Sequence, residues 1–200
     1  HRSTDRKNAN YNHFHLEAYL LISETEPFPI SIYANLYLCS FISLYLFNMI
    51  VIKTPEEIEL MRQGGKISST VLAKVIENVK VGVKLSDLDK IAEEVIVENK
   101  ALPSFKRVHG YKFATCININ EGIVHGIPND TIIKSGDLVK IDLGVFYKDF
   151  NTDVSYTVEV ETFNEETFLN TGKEALKHAV AKCVSGNRIG DISNAIQVII

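Results

Sequence analysis

All 11 glycines of this 200-residue chain lie at or beyond position 64, and the first 48 residues contain none. A folded segment of that length without glycine is unusual, because tight turns and helix ends draw on its access to positive φ. The same 48 residues hold 5 of the 8 tyrosines and 4 of the 10 phenylalanines. Ordinary globular patterning begins at Met49, the first methionine, in a chain whose residue 1 is His. Two parts are therefore expected. Residues 1–48 read as a leader foreign to the fold, with synthesis starting at Met49, and 49–200 read as the folding unit.

The stretch Ile30–Ile52 carries no charge over 23 residues, long enough to span a bilayer. Against that reading, Asn35, Asn48 and three serines dilute it, and Glu24, Glu26, Pro27 and Pro29 precede it. No basic region followed by a small-residue cleavage site marks a secretory signal. Membrane attachment through 30–52 stays as a rival. Cys39, Cys116 and Cys183 are odd in number and far apart, so they form neither a disulfide framework nor a CxxC knuckle. That usage fits a reducing compartment. A net charge of −4 gives no basic footprint for nucleic acid.

Thr54-Pro55-Glu56-Glu57 predicts a capping box with Pro at the first helical position. Apolar residues recur at Ile58, Met61, Ile67, Val71, Leu72, Val75 and Ile76, with Gly64-Gly65 as a weak point. Ser86-Asp87-Leu88-Asp89 predicts the start of a second helix, whose Leu88, Ile91, Ala92, Val95 and Ile96 form one stripe. Beyond Pro103 the pattern turns to strands: Cys116–Asn120 alternates, Leu138–Tyr147 is strand-like, and Asp153–Val160 alternates again. Helical signal returns from Glu165 through Leu169, Leu176, Ala179, Val180 and Cys183.

A weak internal repeat runs at an offset of 104 residues. Gly82 matches Gly186, Leu85 matches Ile189, Asp87 matches Asp191, Leu88 matches Ile192, Val95 matches Ile199 and Ile96 matches Ile200. Each copy reads as helix, Gly turn, helix; the first continues into strands, whereas the second reaches residue 200 within its apolar stripe. The expectation is a fragment of a two-fold repeated architecture. Chance likeness between two helix–Gly–helix hairpins is the alternative.

The candidate chemistry centres on Asp142 and Asp153. The midpoint between them falls between Tyr147 and Lys148, so a tight hairpin there would set the two carboxylates directly across from each other. Like charges so placed are destabilising, and Asp is a poor strand former. Bridging metal ions would supply the missing positive charge. The spacing leaves a second reading open, with one Asp in solvent and the other paired with Lys140 or Lys148. His125, at the Gly126-Ile127-Pro128 turn, suits a ligand, a proton shuttle or a substrate donor, or is merely exposed. His109 shares that ambiguity, His178 reads as a solvated helix position, and Cys116 reads first as packing. No phosphate-binding glycine loop, nucleophile elbow or HExxH motif occurs.

Four segments in order carry a resemblance: Ile52-Lys53-Thr54-Pro55-Glu56-Glu57-Ile58, Cys116–Glu121, His125-Gly126-Ile127-Pro128 and Gly136–Asp142, with Asn151-Thr152-Asp153 at a matching distance. Together they resemble the type I methionine aminopeptidases from Met49 onward. The resemblance implies the α/β (α+β) pseudo-twofold "pita-bread" fold, truncated here within its second half, so that 49–200 is a partial catalytic domain. It implies Asp142 and Asp153 as ligands of two divalent ions (Mn, Fe, Co or Zn) and His125 as a catalytic, substrate-contacting residue. His109, Tyr111 and Cys116 match positions around the methionine side-chain pocket. The family's remaining ligands, a His and two Glu, belong to the second half and have no counterpart here, so the fragment alone is expected to be inactive. The implied substrates are nascent polypeptide N-termini beginning with Met, met in the cytoplasm and near the ribosome by a monomer, with no specific nucleic-acid partner. Asp149 departs from the glycine frequent in the family's hairpin turn. A metal-free binding module of the same fold is the rival of a different class.

Overall fold

Thr54 begins the first helix with both halves of its capping box made: its Oγ1 accepts from Glu57 N at 3.2 Å, and Glu57 Oε2 accepts from Thr54 N at 2.8 Å. The computed structural model describes residues 51–200; the leader 1–48 and most of the apolar run 30–52 lie outside the described residues. The chain divides into two units, His1–Ile52 and Lys53–Ile200, and every element below belongs to the second.

Helix α1 spans Pro55–Glu77 and α2 spans Leu85–Glu98. A short strand β1 (Leu102–Pro103) and a 3₁₀ turn (Phe105–Arg107) lead to β2 (Thr115–Ile119). The long strands β3 (Leu138–Tyr147) and β4 (Phe150–Glu159) form a hairpin, followed by α3 (Glu166–Ala181) and α4 (Ile189–Gln197). All pairings are antiparallel: β3 pairs along its whole length with β4, and its other edge takes β2 and then β1.

Strand period two sorts β3 cleanly. Val139, Ile141, Leu143 and Val145 are fully buried against the helices, while Lys140 and Asp142 alternate onto the opposite face. The helices meet this face with Val71, Leu72 and Val75 from α1 and Leu85, Leu88, Ala92 and Ile96 from α2. The expected weak point at Gly64 is instead a close approach. The helix is unbroken there, and a Cβ on Gly64 would stand 3.2 Å from Thr152 of β4. Ser68 one turn later shares a 2.7 Å hydrogen bond with the Thr152 hydroxyl.

Two local expectations need correction. Helix α2 begins at Leu85 with Lys84 as its N-cap, not at Ser86, whose hydroxyl is drawn away to Asp130 at 2.7 Å. The β3–β4 turn is centred on Lys148-Asp149, one residue later than the sequence midpoint, with Tyr147 paired to Phe150.

The repeat is present in the backbone. Helices α1 and α3 end at Glu77 and Ala181, and α2 and α4 begin at Leu85 and Ile189, each pair 104 residues apart. Between them Gly82 and Gly186 both adopt left-handed φ, +88° and +95°. That conformation excludes most side chains and explains why glycine recurs at that step. Among the described residues, no helix is long and apolar enough to cross a membrane.

Candidate metal centre

The sheet face opposite the helices carries the candidate site. Cys116 on β2 lies in register with Asp142 on β3, which in turn lies in register with Ser155 on β4. Asp153 is opposite Gly144, not Asp142, so the two carboxylates are diagonal neighbours on one face instead of direct partners. The expected face-to-face register is thus wrong by two residues, although the pair itself forms. Diagonal positions are about 7–8 Å apart in backbone terms, still within reach of side chains that lean together. Position 144 has no side chain to stand between them. A Cβ there would lie 2.8 Å from both Ser104 and the Phe105 ring, which fill that space.

The two carboxylates act on each other: Asp142 is pushed up to about 6 by its burial and by the nearby Asp153 carboxylate. Like charges at that spacing disfavour each other, so without a compensating cation the two cannot both ionise freely. Lys140, considered above as a partner, donates to the Asn120 carbonyl instead. Among the described residues, no lysine or arginine forms an ion pair with Asp142 or Asp153. Hard, acceptor-only oxygens without a cation fit a divalent ion. They make only part of a shell: no group of three or more His, Cys, Asp or Glu is gathered for a metal among the described residues.

His125 is exposed on the loop after β2 and held at φ +56°, a left-handed conformation for a residue with a Cβ. Its neighbour explains the constraint. Gly126 O accepts from Ile117 N at 2.9 Å, and a Cβ on Gly126 would come within 2.3 Å of Ile117 O and 2.4 Å of Asn118 Oδ1. The loop is therefore pressed onto the outer edge of β2. His125 is near enough to Asp142 to favour its charged form, the one influence that opposes the upward shift.

Tyr111 donates its hydroxyl to Thr115 O at 2.7 Å and meets Cys116 Sγ at 3.2 Å. Burial, followed by that contact, pushes the Tyr111 hydroxyl up, and burial also pushes the Cys116 thiol up. Cys116 is therefore a neutral packing thiol, not a nucleophile. Phe105 and Phe113 pack edge-on to Tyr111 at 6.5 and 5.8 Å between ring centres. The sequence reading missed both rings, since each lies in irregular chain where no periodicity marks it. His109 sits on an exposed turn two residues before Tyr111, and no hydrogen bond joins it to the other site residues. The structure thus brings together Asp142, Asp153, His125, Cys116 and Tyr111, and leaves His109 at the margin.

On the open face of a helix-backed antiparallel sheet, the neighbouring Asp142 and Asp153 carboxylates have no lysine or arginine ion-pair partner among the described residues. Residues 59–200 match metallopeptidase family M24, and the chain belongs to that family. It is 38% identical over 151 residues to a methionine aminopeptidase of Clostridium perfringens and 34% identical to methionine aminopeptidase 1 of Bacillus subtilis. Each match covers 74% of this chain and 61% of the relative, so the chain spans about three-fifths of their length. Among solved structures, the methionine aminopeptidase of Thermotoga maritima superposes with a TM-score of 0.70 at 35% identity, covering 76% of this chain and 62% of that one. A prolidase from Pyrococcus furiosus gives 0.65 at 27% identity, covering 76% and 44%. The pita-bread fold expected from the sequence is the fold of these neighbours.

Proposed function

We propose that the protein containing this chain removes the initiator methionine from nascent polypeptides, with Asp142 and Asp153 among the ligands of two divalent ions. The observation that carries this reading is the diagonal Asp142–Asp153 pair on the open sheet face, with no lysine or arginine ion-paired to either among the described residues. When bound, such ions supply Lewis-acid polarisation of a peptide carbonyl and ionise water near neutral pH; Mn, Fe, Co and Zn all suit a mixed His and carboxylate set.

The chain's own residues do the remaining work. Rigid pairing of β3 with both neighbours holds the two carboxylates in place before any ion arrives. His125, aimed by the Gly126 contact, donates a hydrogen bond to the substrate amide and stabilises charge that develops there. The neutral Cys116 thiol and the Phe105–Tyr111–Phe113 rings form an apolar, polarisable wall suited to a thioether side chain. His109 closes the rim of that pocket. The enzyme acts in the cytoplasm as a monomer, near the ribosome and without a specific nucleic-acid partner, on chains beginning with Met. Residues 49–200 form the partial catalytic domain. With no third His, Cys, Asp or Glu grouped with these carboxylates among the described residues, the 200-residue chain is expected to be inactive by itself.

The test is release of Met from a Met-Ala-Ser peptide by the intact protein that contains these residues, supplied in turn with Mn²⁺, Fe²⁺, Co²⁺ and Zn²⁺. Turnover that disappears in Asp142→Asn and Asp153→Asn is expected. No turnover with any of the four ions, or turnover unaffected by either substitution, overturns the proposal and favours the binding module.

A further inference from the structure

Asp89 is the only charged side chain that the described residues bury, and the chemistry above makes no use of it. It lies on α2, behind the sheet, whereas the metal pair lies in front. One oxygen, Asp89 Oδ1, accepts from Ala114 N at 3.0 Å, Thr115 N at 2.9 Å and the Thr115 hydroxyl at 2.7 Å. Three donors converging on one anionic oxygen fix the first residue of β2 more firmly than strand pairing alone would. Thr115 then passes that constraint through the sheet. Its own carbonyl accepts from the Tyr111 hydroxyl, which touches Cys116, and Cys116 is in register with Asp142.

We propose that Asp89 is a positioning residue for the substrate side-chain pocket, holding the Tyr111–Cys116 pair in place through Thr115. The proposal deepens the aminopeptidase reading, since it rests on Tyr111 and Cys116 as the pocket wall. A purely structural role, pinning α2 to β2, would affect stability without changing the front of the sheet. The two roles separate because Cys116 is buried under the Tyr111 contact while Cys183 is exposed in the same chain.

The experiment is alkylation of the 200-residue chain by N-ethylmaleimide without metal or peptide, read by peptide mass as the ratio of Cys116 to Cys183 rates. Each variant is first checked for cooperative thermal unfolding. Asp89→Ala is expected to raise the ratio about tenfold or more, and Thr115→Val, which removes one of three bonds, about threefold. Asp89→Asn keeps an acceptor oxygen and is expected to stay within about twofold of the parent chain. A folded Asp89→Ala chain with an unchanged ratio overturns the proposal, as does an Asn variant as reactive as the Ala one. Should Asp89→Ala fail to fold, Thr115→Val decides by the same ratio, and no change there overturns it. The ratio stands apart from the aminopeptidase reading, which peptide turnover decides separately.

Discussion

At the residue scale, the Asp142 carboxyl links stability to pH and, on the proposed function, to metal. Its folded value near 6 lies above the ordinary 3.8, so the metal-free fold binds a proton more tightly than the unfolded chain does. The stabilisation is complete below about pH 4 and is lost as pH rises through about 6. In chelator, the thermal midpoint should fall over that window, and Asp142→Asn should remove the fall and leave the chain more stable at pH 7. Saturating Mn²⁺ should reverse the slope of the parent chain only. A midpoint that rises from pH 4 to 7 in chelator would contradict the upward push of Asp153 and burial on Asp142. His125 makes the contrasting case. In the intact enzyme His125→Ala should lower kcat by about 10²–10³ while metal affinity changes little. Metal titration during peptide cleavage checks this, and recovery of near-parent turnover by excess metal would identify His125 as a ligand instead. Both residues were legible in the sequence, Asp142 as a charge between Ile141 and Leu143, and His125 by its Gly/Pro turn. Asp89 was not, because it was read as part of a helix start. Its i, i+3, i+7 spacing with Ala92 and Ile96 places it beside the buried stripe, and a carboxylate there was the missed signal.

At the scale of elements, β2, β3 and both helices of the first pair could be read from periodicity, but the hairpin register could not. The turn residues Lys148 and Asp149 both take left-handed φ, +47° and +72°, which is the pattern of a type I′ turn. Such turns are announced by Asn-Gly or Asp-Gly; with Lys-Asp, the sequence gives no centre, and a shift of one residue moves each pairing by two. The same mismatch predicts a gain. Lys148→Asn with Asp149→Gly should stabilise the chain by about 1 kcal/mol, because neither new residue carries the full cost of a Cβ at positive φ. Urea unfolding should show a higher midpoint at an unchanged slope. A lower midpoint would mean that the Lys148 or Asp149 side chain contributes more than the turn geometry costs.

At the scale of the whole molecule, the 104-residue repeat supplies its own control. Leu85 and Ile189 occupy equivalent first positions of α2 and α4, yet Leu85 is 4% exposed and Ile189 is 78% exposed. Leu72 and Leu176 differ in the same way, at 8% and 65%. Truncation to Ala should therefore cost about 2–5 kcal/mol at Leu72 or Leu85, and stay within about 0.5 kcal/mol at Leu176 or Ile189. Denaturant midpoints of the four variants test this directly, and equal losses across either pair would mean that the second helix pair is covered as the first is. The repeat itself was visible in six matched residues. Its difference in burial was not, since the same apolar stripe is written in both copies whether or not a sheet lies against it.

The alternation along β3 has a consequence for how this chain can vary over evolutionary time. Core and chemistry are interleaved residue by residue, Ile141 inward, Asp142 outward, Leu143 inward. A single inserted codon upstream of Asp142 in that strand would exchange the two sets, turning the carboxylate into the core and the leucine into the cleft. Folding and catalysis would fail together, so no intermediate lineage could retain the scaffold while losing the site by that route. Within this hairpin, a length change leaves the alternation intact only at the tip, Lys148-Asp149, whereas Asp142 or Asp153 can be replaced in place with the fold kept.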